Sequence, residues 1–178
     1  MGSNTKTVLT EKEMGRTLER LAYEVLERHG DCEHLAIIGI QRRGVDLAAR
    51  LKAILEERAD CRLPMGKLDI NLYRDDWTTL DVQPNINHTE IGFEIDGRPL
   101  LIIDDVLFTG RTIRAALEAI LDYGRPSRVE LLVLVDRGHR ELPIHADYVG
   151  KTVSTERGQH VDVFVQETDG KDEAVLEE

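Results

Sequence analysis

Residues 100–117 read LLIIDDVLFTGRTIRAAL. The four aliphatic residues at 100–103 are too short a run for a helix and suit a strand buried on both faces. Two carboxylates, Asp104 and Asp105, follow at the carboxyl end of that strand. A turn comes next, Thr109-Gly110-Arg111-Thr112, and then a helix with Ile113, Leu117, Ile120 and Leu121 on its apolar face. In an open α/β sheet, ligands sit beyond the carboxyl ends of the strands. A helix amino terminus there offers unpaired N–H groups and the positive end of a dipole, which suit a phosphate. Gly110 permits close backbone approach, and the hydroxyls of Thr109 and Thr112 add donors.

A bare phosphate would be repelled by the neighbouring acids, so the ligand needs two ends. A phosphate fits the turn, and a diol or a magnesium complex fits the carboxylates; a ribose 5-phosphate has both. The sequence holds neither GxxxxGKS/T nor a GxGxxG following a strand, so the common nucleotide motifs are absent.

Outward from this unit, strands alternate with helices. Thr10 and Glu13 form a capping box, apolar residues from Met14 to Leu26 repeat at helical spacing, and Gly30 ends the helix. Its outer face mixes Arg16, Arg20 and Arg28 with glutamates and reads as solvated. Residues 35–40 read as a strand with the exit loop GIQRRG at 39–44, and a helix is expected over about 45–58. Gly39 and Gly44 let backbone N–H groups face inward, and Arg43 can fork onto anion oxygens. Residues 68–73 alternate like a strand. Residues 74–90 are polar and aperiodic, as in a lid or a disordered segment. Residues 91–95 and 100–103, joined across Asp96-Gly97, read as a hairpin. The helix over about 111–123 stops at Gly124 and Pro126; residues 129–135, 148–149 and 161–165 complete the strands. The pattern is that of a mostly parallel α/β sheet.

The 178 residues are expected to form one domain, with residues 1–8 flexible and the acidic tail at 166–178 frayed. Net charge is −11, against non-specific coating of nucleic acid, but the tail carries −5 of it. Residues 125–157 hold six Lys or Arg against five Asp or Glu, which leaves room for a local basic face. Cys32 and Cys61 have no metal-ligand or disulfide-framework spacing. No apolar run reaches membrane-spanning length, and a cytoplasmic location is expected.

The paired aspartates and the TGRT turn resemble the PRPP-binding signature of type I phosphoribosyltransferases. DDVLFTGRT, together with DINLYRDD at 69–76 and LVDRGHRELPIHADYVGK at 134–151, is similar to the PyrR family, which comprises bifunctional pyrimidine operon regulators and uracil phosphoribosyltransferases. The likeness spans roughly residues 9–165, with its motifs in the same order.

The resemblance implies the type I phosphoribosyltransferase fold, a mostly parallel sheet flanked by helices with a small hood and a flexible lid loop at 74–90. It implies transfer of the phosphoribosyl group of PRPP to uracil, giving UMP and pyrophosphate, and uridine-nucleotide-dependent binding of the leader RNA of pyrimidine genes. Catalysis would fall to Asp104, Asp105 and Arg43. PRPP or UMP would be held by Arg42, Arg43, Asp104, Asp105, Val106, Leu107, Phe108, Thr109, Gly110, Arg111 and Thr112, with Arg137 and Val161 near the base. Mg2+ would enter as the PRPP or pyrophosphate complex and meet Asp104 and Asp105 through water. Arg140, Lys151 and Arg157 are the expected RNA contacts, and a homodimer or larger homo-oligomer is expected. Three departures stand out: Arg42 where the family usually has threonine, His145 for an arginine, and Ser154 for a proline. The alternatives are a phosphoribosyltransferase for another base, or a nucleotide-sensing RNA regulator with vestigial catalysis.

Overall fold

A computed structural model of the chain describes residues 5–74 and 88–178, and at its centre is β4 (Pro99–Leu107). Its neighbours are β2 (Ala36–Ile40) and β5 (Arg128–Asp136); β3 (Met65–Leu68) lies beyond β2 and β6 (Tyr148–Thr152) beyond β5. The order is β3-β2-β4-β5-β6, and every pairing is parallel. Side chains alternate across a strand, so the apolar run of β4 supplies two cores. Leu101 and Ile103 pack with α1 (Glu11–His29) and α2 (Arg43–Ala59), while Leu100 and Ile102 pack with α3 (Arg111–Leu121). Strand order reverses between β2 and β4, and such a switch point opens a crevice at the carboxyl ends.

The expected capping box is present: Thr10 caps α1 with both reciprocal bonds to Glu13, and Gly30 closes its other end. The expected hairpin is not. Residues 91–98 form no strand, because both edges of β4 are taken by parallel partners and leave no place for an antiparallel one. The strand expected at 68–73 ends at Leu68; a 3-10 turn follows at Asn71–Tyr73, where the Asp69 carboxylate accepts from the Asn71 N–H at 2.9 Å. Residues 75–87 lie outside the described residues, and with them most of the expected lid at 74–90.

A second, antiparallel sheet is built from the chain ends, β1 (Thr5–Thr10), β8 (Glu173–Glu177) and β7 (His160–Phe164), in the order β1-β8-β7. The expectation of a flexible segment at 1–8 is therefore corrected for residues 5–8. The expectation of a frayed tail at 166–178 is corrected as well: that stretch forms the short α4 (Gln166–Asp169) and β8, the middle strand of its sheet. Ala174 and Val175 are buried in the pairing. Three of the tail's six acids are paired by arginines of α2. Arg50 bonds Glu167 at 2.8 Å and Asp172 at 2.7 Å, and Arg43, two helical turns earlier on the same face, takes Asp169. The Thr168 hydroxyl donates to Asp46 at 2.7 Å between them. No helix among the described residues is long and apolar enough to cross a membrane.

Candidate active site

β2 ends at Ile40, whereas β4 runs on to Leu107. Asp104 and Asp105 thus lie inside β4, not beyond it as the sequence implied. From Asp104 onward the strand pairs only with β5, and its other edge opens into the crevice. Asp104 is buried, and its Oδ1 accepts from the Asp105 N–H at 3.0 Å. The Asp105 Oδ1 accepts from the Val106 N–H at 2.8 Å. Burial, with the charge of Asp105 added, holds the Asp104 carboxyl well above the ordinary range. Burial raises Asp105 too, opposed by its bond from Val106 and by the Arg43 charge. Such acids are complementary to hydroxyls or to a cation brought by a ligand. No group of three metal-ligating side chains occurs among the described residues. The donor set therefore fits Mg2+ arriving with phosphate oxygens better than an ion caged by protein alone.

Two helix amino termini flank the acids. Gly110, at φ 92°, starts α3, and the Thr109 hydroxyl accepts from the Arg111 N–H at 3.3 Å. A cleft of about 260 Å³ is lined by Arg74 and residues 106–113, so Val106, Leu107, Phe108, Thr109, Gly110, Arg111 and Thr112 share one cleft. On the other side α2 begins at Arg43, two residues earlier than expected. Gly44 makes this close approach possible, since a Cβ there would fall 2.6 Å from the Ile103 carbonyl oxygen and 3.3 Å from the Asp104 Cα. The Gln41–Arg42 peptide bond is cis. Arg42 is exposed, and its side chain makes no hydrogen bond or ion pair among the described residues. Arg43 donates from Nε and Nη2 to Asp169, each at 3.0 Å.

The loop after β5 is sewn onto the α3 turn. Arg137 is buried with its guanidinium 3.9 Å from the centre of the Phe108 ring; it donates to the Gln159 carbonyl oxygen, and its Nε has no partner. Burial lowers its affinity for a proton, partly offset by Asp162. Glu141 accepts from Arg111 at 2.8 Å and from Arg157 at 2.9 Å.

One expectation changes here. Val161 is buried in a core cluster, on the edge strand β7 of the hood. Arg140 is spent inside the loop, donating to the Phe108 carbonyl oxygen at 2.6 Å, the Ile144 carbonyl oxygen at 3.0 Å and the Asp136 carboxylate at 2.5 Å, and is not an RNA-facing cation. Lys151 and Arg157 are exposed, though Lys151 also donates to the Val8 carbonyl oxygen at 2.8 Å. Sequence reading missed Asp169, Glu141 and Gln159, whose partners are distant in the chain, and set Arg20 aside on a solvated face. The Arg20 guanidinium in fact lies on the Gly150 carbonyl oxygen, beside Lys151.

Acids at a topological switch point, between two helix amino termini and under a small antiparallel hood, define a phosphoribosyltransferase. Residues 4–168 match the family model of the phosphoribosyl transferase domain. Solved hypoxanthine phosphoribosyltransferases share the fold: that of Trypanosoma cruzi has a TM-score of 0.71 at 18% identity, covering 96% of this chain and 95% of its own. A hypoxanthine-guanine enzyme of Bacillus anthracis has a TM-score of 0.68 at 16% identity, covering 89% and 88%. Relatives far closer in sequence bear the name bifunctional protein PyrR. That of Caldicellulosiruptor bescii is 48% identical over 97% of this chain and 95% of its own length. That of Deinococcus radiodurans is 51% identical over 93% and 91%. The chain belongs to the PyrR family of phosphoribosyltransferases.

Proposed function

We infer that the protein joins uracil to the phosphoribosyl group of PRPP, forming UMP and releasing pyrophosphate, and that it also regulates pyrimidine biosynthesis genes by binding their leader RNA in response to uridine nucleotides. The observation that carries this reading is the nearly full-length identity with PyrR proteins, combined with the buried acid pair between two anion-binding helix ends. The hypoxanthine enzymes support the fold and leave the base to be decided by sequence likeness.

The chemistry follows from where charge develops. As uracil N1 bonds to the ribose C1, the bond to pyrophosphate breaks and the N1 proton passes to water; the sugar becomes cationic while the leaving group takes up negative charge. Asp104 and Asp105 hold the ribose hydroxyls, and their negative field favours the cationic sugar. The amino terminus of α3 takes the 5′-phosphate. The amino terminus of α2, with Arg42 and Arg43, takes the pyrophosphate. Mg2+, when bound with PRPP, supplies further neutralisation of the leaving group beside Asp104 and Asp105. Arg137, stacked on Phe108, is the residue assigned to the base. For RNA, Arg20 beside Lys151 gives two cations on one surface, with Arg157 exposed on the loop after β6.

Release of pyrophosphate from PRPP should depend on uracil and not on hypoxanthine or orotate. Equal turnover with hypoxanthine overturns the base assignment, and turnover with uracil no faster than hydrolysis leaves only a regulator. A gel shift of leader RNA at several salt concentrations tests the second half. Binding strengthened by UMP is expected, and binding indifferent to UMP refutes it.

A further inference from the structure

We propose that Asp169, in the C-terminal segment, is a positioning residue for the transferase reaction, setting the orientation in which Arg43 presents its guanidinium to the pyrophosphate of PRPP. The proposal rests on the reading above that Arg43 meets that pyrophosphate.

A guanidinium carries five N–H donors in a rigid planar fork. Asp169 takes one edge of it, Nε to Oδ2 and Nη2 to Oδ1, each at 3.0 Å. The Nη1 edge makes no hydrogen bond among the described residues, and the side chain is 35% exposed. One edge is thus fastened to protein and another is left for an anion. The Phe164 ring, 5.7 Å from the guanidinium carbon, supports one face. Asp169 is itself fixed, since its Oδ2 also accepts from the Val165 N–H at 2.9 Å. The Arg43 pairing holds its carboxyl below the ordinary range, so it stays ionised at neutral pH. An unclamped arginine spreads over many rotamers and must be ordered by the ligand, which weakens binding.

Val165 directly follows β7, so this carboxylate joins the hood to the first turn of α2. Docking of the tail as such has other supports, namely Arg50 with Glu167 and Asp172, and Thr168 with Asp46. That separation makes the idea testable. Steady-state kinetics on the full chain should compare Asp169→Asn, Asp169→Glu, Glu167→Gln and Arg43→Ala. Asp169→Asn should raise KM for PRPP about tenfold and weaken inhibition by pyrophosphate equally, with kcat and UMP affinity unchanged. Asp169→Glu, which keeps the charge, should recover part of the loss and covers the case in which the asparagine variant folds poorly. Glu167→Gln loosens the same segment without touching Arg43 and should leave KM for PRPP unchanged. Added to Arg43→Ala, Asp169→Asn should cost nothing more. A wild-type KM in Asp169→Asn beside a raised one in Arg43→Ala overturns the positioning role alone. An equal rise in Glu167→Gln shows that the segment acts through docking. A wild-type KM in Arg43→Ala shows that the pyrophosphate reading of Arg43 is wrong.

Discussion

Gly44→Ala tests whether the distance between α2 and the acids governs the reaction. The added Cβ would sit 2.6 Å from the Ile103 carbonyl oxygen. Ordinary carbon–oxygen contacts begin at about 3.3 Å, so the shortfall is about 0.7 Å. Ile103 cannot yield, because it is paired with Gly39 on one side and Leu132 on the other. The first turn of α2 must therefore move away from β4, taking Arg42 and Arg43 with it. Overpacking of this kind costs about 1–3 kcal/mol. In a chain of this size that lowers Tm by about 2–4 °C for each kcal/mol. A displacement approaching 1 Å at the anion loop should lower kcat/KM for PRPP by about tenfold to a hundredfold. Thermal unfolding and initial rates at limiting PRPP measure the two effects. A variant with wild-type Tm and wild-type kcat/KM refutes the reasoning.

Gly15, exposed in the second turn of α1 with open space around its Cβ position, supplies the contrast: Gly15→Ala should add about 0.5–1 kcal/mol in denaturant unfolding and leave activity unchanged. Asp104→Asn with Asp105→Asn should abolish transfer while raising stability at neutral pH. The native carboxyls titrate above the unfolded value of about 3.9, so the wild type loses stability as pH climbs from there through the native values. The variant's advantage should vanish below about pH 3.9, and equal melting curves at neutral pH would contradict the burial argument. Arg137→Ala should raise KM for uracil more than KM for PRPP; an equal rise in both would place the residue in the scaffold of the hood and not at the base.

The sequence by itself determined the central unit of the fold, because its signals are local. Residues 100–103 have no polar face to turn outward, Gly110 suits a turn at positive φ, and Thr10 with Glu13 completes its cap within three residues. The assignment of the acids and the turn to one site followed from the strand–turn–helix order alone. Only the tertiary structure decided what the remaining charges do. The acidic tail looked unpartnered because Arg43 and Arg50 lie more than a hundred residues away, and charge pairing at that separation leaves no trace in local spacing. Residues 91–95 pattern like a strand, yet the edges of β4 were already filled by β2 and β5. Arg140 reads as a free cation in the chain and is consumed by carbonyls of its own loop and the neighbouring turn. The upward shift of Asp104 and Asp105 likewise comes from burial, which the sheet and α2 create together through the close approach at Gly44.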